Sequence, residues 1–311
     1  MTRGDMQETT EAKRSLALRQ LIGENRPTVW MAPLLTIVTL FYLYPAFEVL
    51  RFSVTNSNLL QENYDYTLRT FVQVLGDPVL YKVIRTTAIF VLASVVLQLA
   101  LGLLIAVAAN RARRRRLPGM VFMRSVILSA WVMPGVVIGI VWAIVLNEAS
   151  YGLANLLLAT VGIGGVAWLS SPNMALMSII IANVWRGTAF SMILQYAGLQ
   201  SIPDELYEAA EVDGASTLQS FWHITIPQLR PILMINVILI TISTLNTFDM
   251  ILPLTGGGPG QATEVLSLRT YNVIFGQFSL AGGAVLAVIM LAISLALTLI
   301  YRRLLRSEGT V

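Results

Sequence analysis

Long uncharged, apolar stretches alternate with short charged ones along the whole chain, and a bilayer core about 30 Å thick needs roughly 20 apolar residues per spanning helix. Six stretches meet that requirement: 27–47, 86–110, 125–147, 174–197, 231–254, and 280–301 within the uncharged run 270–301. Met133-Pro134-Gly135 interrupts the third and predicts a kink there. Arg186 falls inside the fourth and Asp249 near the end of the fifth. The expectation is an all-α membrane protein with six transmembrane helices.

Composition agrees. The chain is 56% hydrophobic and only 12% charged, with a mean hydropathy of +0.70, far above a soluble domain. It contains no cysteine, which excludes a disulfide framework and a thiolate metal site, and one histidine, His223, which leaves no His-based metal or catalytic centre. No apolar core of a cleavable leader precedes Thr28. Basic residues are placed unevenly. Five lie in the tail 1–26, six in "RARRRRLPGMVFMR" at 111–124 and three at Arg302, Arg303 and Arg306. The segment 148–173 has none and 255–279 only Arg269. Six-span alternation puts the basic segments on one side, so both termini are expected in the cytoplasm. A short surface helix over 8–22 is an option for the tail.

The same alternation places the loop 198–230 on the cytoplasmic side, although Arg230 is its sole base. Asp204, Glu205, Glu208, Glu211 and Asp213 crowd into it. "SIPDELYEAAEVDG" reads as a helix with Ser201 as a possible cap, Pro203 in its first turn and Gly214 as its stop. Early carboxylates suit its dipole. "ASTLQSFWHIT" reads as a second short helix closed by Pro227. By pattern alone this is a solvated acidic helix pair at the membrane surface.

Within that loop, Glu208-Ala209-Ala210, then Gly214, Ile224 and Ile226-Pro227 follow the spacing EAA-x3-G-x9-I-x-L-P, with Ile226 in place of Leu. It resembles the EAA loop of binding-protein-dependent ABC importer permeases. The resemblance covers nearly the whole chain except the N-terminal tail. "YPAFEVLRFS" at 44–53, "GLQSIPDELYEAAEVDGAS" at 198–216, "ITIPQLRP" at 224–231 and "FDMILPLTGGGPGQATE" at 248–264 are similar to the carbohydrate branch, maltose/glycerol-3-phosphate permease-like. It implies a type I ABC importer permease fold: a cytoplasmic tail 1–26, a permease domain 27–305 containing the coupling loop 198–230, and a tail 306–311. It also implies that the loop docks on a cytoplasmic ATPase, with Glu208 facing a basic residue there and the small Ala209, Ala210, Gly214 and Ala215 permitting close approach.

An ionisable residue within a span is costly, about 2.5–3.5 kcal/mol for a lone Arg on insertion scales, so Arg186 should face protein or a wet cavity. Asn183, Arg186, Gly187 and Phe190 lie at i, i+3, i+4 and i+7, on one helical face. The fifth span carries Asn236, Thr241, Ser243, Thr244, Asn246, Thr247 and Asp249, with Asn236, Ser243 and Thr247 on one stripe. Such groups suit sugar hydroxyls, with Phe190 or Trp185 to stack on a pyranose. They equally suit hydrogen-bonded helix packing in lipid. The resemblance favours the first reading and implies a mid-membrane substrate path at Asn183, Arg186, Gly187, Phe190, Ser243, Thr244 and Thr247, and Asp249 is placed on the same path. Arg186 would bind an anionic group or pair with Asp249.

The run "TGGGPG" at 255–260 has no Lys-Ser/Thr after it and is not a phosphate-binding loop; it would shape an outer turn near a docked binding protein. The resemblance therefore implies a non-enzymatic transport subunit of the inner membrane, with no catalytic residues and no cofactor of its own. ATP and Mg²⁺ would sit in two ATP-binding cassette subunits. A second related permease and an extracytoplasmic solute-binding protein would complete the assembly in membrane lipid, with no nucleic acid. The substrate class is an oligosaccharide or related polyol, with a phosphorylated polyol such as glycerol-3-phosphate as the alternative. A stand-alone ion-coupled transporter would need more membrane carboxylates than Asp249 and leaves the 205–216 loop unexplained. A membrane-embedded enzyme lacks clustered His, Asp or Glu.

Overall fold

The computed structural model describes residues 27–149 and 151–306. The tail 1–26, its suggested helix over 8–22, and residues 307–311 of the C-terminal tail lie outside the described residues. The chain divides into two compact units at Phe52/Ser53. In the first, α1 (Pro27–Val38) runs through a π-helical turn, Thr39–Leu43, into α2 (Tyr44–Ser53) as one span. Pro33 sits inside α1. Glu48 pairs with Arg51 at 2.6 Å, one turn apart.

The second unit contains α3 (Arg69–Leu75), α4 (Pro78–Arg114), α5 (Met120–Val132), α6 (Gly135–Val145), α7 (Leu153–Thr160), α8 (Pro172–Gln200), α9 (Asp204–Val212), α10 (Thr217–Ser220), α11 (Ile226–Leu245), α12 (Ile251–Thr255), α13 (Leu266–Tyr271) and α14 (Leu280–Arg306). The long helices α4, α8 and α14, the continuous stretch Thr217–Leu245 and the first span are each long and apolar enough to cross a bilayer. The bent pair α5–α6 makes a sixth crossing if it is counted as one.

The centre is the pairing of α4 with α8. Asp77 caps α4 by accepting from the Val79 amide, Pro78 opens its first turn, and no other proline occurs in its 37 residues. Small residues let the two helices approach closely. A methyl group built on Gly102 would meet the Ser191 side chain at 2.6 Å, and one on Gly187 would overlap the Gln98 carboxamide. Two glutamines bridge the seam: Gln98 donates to the Asn183 carbonyl at 3.1 Å and Gln195 to the Leu99 carbonyl at 3.3 Å. In lipid each such buried amide needs a partner. Around them Phe90, Val91, Val95, Ile138, Ile179, Ile240, Met250 and Leu268 form one core.

Two expected elements differ, and the break expected in the third span is a bend of 100° between α5 and α6. Met133 and Pro134 are both extended there, with ψ of 134° and 139°, so the helical path stops and restarts at Gly135. The fifth span ends at Leu245, not 254, and Asp249 lies in the turn that follows. The polar run explains this: Asn246 donates its side-chain amide to the Ile242 carbonyl and Thr247 its hydroxyl to that of Ser243, each competing with continued helix. Pro227 does not close the helix before it. A π-helical turn, Phe221–Thr225, carries Thr217–Ser220 into α11 without a break, and Pro227 occupies the first turn of α11 where a missing N–H is tolerated.

Outside the long helices, Glu148 staples the segment 146–171. Its Oε1 accepts the Leu169 and Ser170 amides at 2.7 and 2.8 Å, and its Oε2 the Ser170 hydroxyl at 2.7 Å. The Ser170 hydroxyl and then those two amides hold its carboxyl below the ordinary value of 4.5. A depressed native pKa stabilises above the unfolded value and is lost as pH falls through the native one. Protection against hydrogen exchange at Leu169 and Ser170, taken relative to the intrinsic rate at each pH, should therefore be present at neutral pH and be lost in acid as the carboxylate is protonated. Glu148→Gln should weaken that protection at neutral pH and abolish its pH dependence.

Candidate functional site

Two regions carry the candidate residues. The first is a cavity of about 250 Å³ lined by Gln98, Trp131, Asn183, Arg186, Gly187, Phe190, Leu239, Ile240, Ser243, Thr244 and Thr247. All four residues read on one face of α8 line it, as do Ser243, Thr244 and Thr247. The helical periods of α8 and α11 bring these two polar faces together, and Asn183 donates to the Thr244 hydroxyl across the gap at 3.4 Å. Phe190 packs against Trp131 with ring centroids 5.5 Å apart and an interplanar angle of 31°. Hydroxyl, amide and guanidinium groups beside two aromatic rings make a surface suited to a polyhydroxylated ligand with apolar faces.

Asp249 does not line the cavity. It lies outside the lining, with Oδ2 3.6 Å from Arg186 Nη1, an ion pair too long to be a hydrogen bond. Their side chains are 27% and 37% exposed, so the pair is partly wet. Gly135, where the helix restarts after its bend, packs directly on this carboxylate and any Cβ would overlap it. Gly139, one turn on, packs in the same way against Met250 and Pro253. Both broken spans thus meet at Asp249.

Other expected residues go elsewhere. Trp185 stacks edge-on with Trp142 at 6.2 Å, on a different face of α8 from Phe190, since five residues along a helix leave them about 140° apart. Asn236 is fully buried and accepts from the Ser191 hydroxyl at 3.4 Å, and Thr241 meets the Tyr301 hydroxyl at 3.3 Å. These two join helices rather than line the cavity. Gln98, Trp131, Leu239 and Ile240 were not foreseen. A lone glutamine in an apolar span was the available signal for Gln98; the apolar and aromatic residues carried none.

The second region is α9 and its flank. Ser201 does not cap α9; it ends α8, its hydroxyl donating to the Gly198 carbonyl at 2.8 Å. Asp204 and Glu205 occupy the first turn of α9. The helix stops at Gly214, whose φ of 77° only glycine adopts readily. The Gly214 amide reaches the Glu211 carbonyl at 3.0 Å and the Ala215 amide the Ala210 carbonyl at 2.8 Å, a Schellman stop. Ser216 and Gln219 then form a reciprocal capping box. Glu208 and Ala209 are exposed, Ala210 and Ala215 half-buried. Val212, Leu218 and Trp222 beside them are 87%, 66% and 59% exposed. Acidic and apolar groups presented together suit a protein partner better than bulk water.

At the opposite end of α4, Gly256, Gly257 and Gly260 all take positive φ and Lys82 donates to the Gly260 carbonyl at 2.7 Å, so the glycine run forms a tied turn. Among the described residues, no group of three or more His, Cys, Asp or Glu is arranged for a metal ion.

The family described as "Binding-protein-dependent transport system inner membrane component" matches residues 98–308. The chain is 36% identical to the trehalose/maltose transport system permease protein MalF of Thermococcus litoralis, over 86% of this chain and 90% of that one. It is 32% identical to the sulfoquinovosyl glycerol transport system permease protein SmoG of Agrobacterium fabrum, covering 89% of each. It is 31% identical to the sn-glycerol-3-phosphate transport system permease protein UgpA of Brucella abortus, over 88% and 92%. In fold it is similar to a chain of a bacterial ABC transporter involved in import of the acidic polysaccharide alginate, with a TM-score of 0.77 and 19% identity over 97% of this chain and 99% of that one.

Two predictions test the cavity. Arg186→Gln and Asp249→Asn should each lower the melting temperature in detergent by leaving one charge unmatched, and the double variant should lose less than their sum, a coupling of about 1 kcal/mol. Gly187→Val should push Gln98 into the cavity and cut substrate uptake at least tenfold, while membrane insertion measured by blotting stays unchanged.

Proposed function

The chain belongs to the family of binding-protein-dependent transport system inner membrane components, and from that premise we propose how it works as the carbohydrate permease subunit of an ATP-driven importer. It is a multi-pass inner-membrane protein that moves its substrate without covalent chemistry. The observation that carries the reading is the joint presence of a hydroxyl-rich, aromatic-walled cavity among the spans and an exposed EAA helix on the loop before α11.

The proposed assembly contains a second related permease, two ATPase subunits that bind ATP and Mg²⁺, and an extracytoplasmic binding protein. An alginate transporter of this fold is known in complex with a periplasmic protein carrying an alginate pentasaccharide, which supports delivery of an oligosaccharide from outside. Both termini and α9 face the cytoplasm in this reading, as the arginines of 111–124 and 302–306 favour. Closure of the ATPase pair would press on Glu208, Ala209, Ala210, Gly214 and Ala215. The spans would then exchange outward-open for inward-open states around the cavity.

Within the cavity, Asn183, Ser243, Thr244 and Thr247 would bind sugar hydroxyls, and Phe190 with Trp131 would cover an apolar sugar face. Asp249 offsets the Arg186 charge, which favours a neutral oligosaccharide or polyol. Maltose, trehalose, sulfoquinovosyl glycerol and glycerol phosphate are named for the relatives, so the ligand screen should include neutral and anionic members.

Purification of the tagged chain from its native operon in mild detergent should recover an ATPase and a second permease, and Glu208→Lys should release the ATPase. A lone chain that transports without ATP would overturn the reading.

A further inference from the structure

We propose that Arg114 is a positioning residue that latches α9 to the inner end of α4, so that movement of α9 reaches the substrate cavity through one unbroken helix. Arg114 Nη2 lies 2.6 Å from Asp204 Oδ1, and its guanidinium carbon sits 4.8 Å from the centroid of the Tyr207 ring. Tyr207 in turn places its hydroxyl 3.0 Å from that of Thr225, on the π-helical turn that leads into α11. Arg114 and Tyr207 together therefore join the last turn of α4, the first turn of α9 and the π-helical turn that leads into α11.

The electrostatics favour this arrangement. Asp204 stands at the positive end of α9 and Arg114 at the negative end of α4, so each charge also suits the dipole of its own helix. An exposed ion pair alone is weak, and Asp204 is 62% exposed. Stacking on Tyr207 adds a second attachment that salt screens less. Arg113, its neighbour, has a different use: it donates to Asn110 on α4 itself at 3.4 Å.

What the latch connects gives it a role. At 1.5 Å per residue α4 is about 55 Å long. At its outer end Lys82 holds the Gly260 carbonyl and Thr87 accepts the Leu266 amide at 2.8 Å. Midway, Gln98 lines the cavity and holds the Asn183 carbonyl. No proline or π-helical turn interrupts this path, whereas the route through α11 crosses the π-helical turn Phe221–Thr225 and then Pro227 and Pro231. A displacement of α9 passed to Arg114 is thus passed to Gln98. A cavity of about 170 Å³ bordered by Arg114 itself with Asn110, Arg111, Tyr207, Ser220 and Thr225 leaves space for α9 to move.

The inference rests on the proposed docking of α9 to an ATPase. The test uses the full importer with its binding protein in liposomes, cysteine-free in its other subunits. The chain itself has no cysteine, so Leu239→Cys on the cavity wall reports alone. The readouts are its N-ethylmaleimide labelling rate with and without ATP, and ATP hydrolysis. With Arg114 intact, ATP should change labelling at least fivefold. Arg114→Ala should abolish that change while hydrolysis continues, and Arg114→Lys, which keeps the ion pair, should restore most of it. Tyr207→Leu should mimic Arg114→Ala and serves if the alanine variant does not assemble. An undiminished ATP response in Arg114→Ala or Tyr207→Leu overturns the latch. So does parallel loss of hydrolysis and labelling change in both Arg114 variants, which marks a plain folding role. Absence of any ATPase, or of any ATP response with Arg114 intact, sinks the docking reading instead.

Discussion

The contact between two interrupted spans at Asp249 is the constraint around which the cavity is organised. A helix crossing lipid satisfies its own backbone, and a break exposes carbonyls and amides that hydrocarbon cannot pair. Here each break is covered by protein. The Met133–Pro134 bend brings Gly135 onto the Asp249 carboxylate, and Ser267 donates to the Thr247 carbonyl at 2.8 Å just past the end of α11. The turn that ends α11 also carries Thr247 into the cavity and Asp249 toward Arg186. The irregular backbone is tolerated where it shapes the site.

That arrangement also explains how an arginine is accommodated in the fourth span. Arg186 needs a wet surface and a counter-charge, and it has both: the cavity and, outside its lining, Asp249. The carboxylate in turn is held by Gly135, since no larger residue leaves room for it. Charge neutralisation, the helix bend and the glycine are one device. On the loop before α11 a different device operates, in which a glycine stop ends α9, a capping box opens α10 and acidic and apolar groups are exposed together.

Residue spacing told much of this beforehand. Asn183, Arg186, Gly187 and Phe190 were one face on paper and line one cavity in space, because a helix without breaks preserves its period of 3.6 residues. Asn236 shows the limit of the same reasoning. It shares a stripe with Ser243 and Thr247, yet it is buried against Ser191, because depth along a helix is set by which neighbour crosses it there. The expected end of α11 failed for a similar reason: hydropathy counts apolar residues and is insensitive to an asparagine amide and a threonine hydroxyl that turn back on the backbone.

The amino-acid sequence by itself determined the spans, the EAA spacing, the polar faces of α8 and α11 and the candidate partner of Arg186. Those properties are local or periodic, and they follow from composition and helical geometry. Only the tertiary structure decided that Gln98 and Trp131 complete the cavity, that the third span turns through 100°, that Asp249 lies outside the cavity lining and that Arg114 reaches α9. Each of these joins residues far apart in the chain. Which of them meet depends on how closely α4 and α8 approach and where the breaks fall, and no pattern along one helix encodes the position of another.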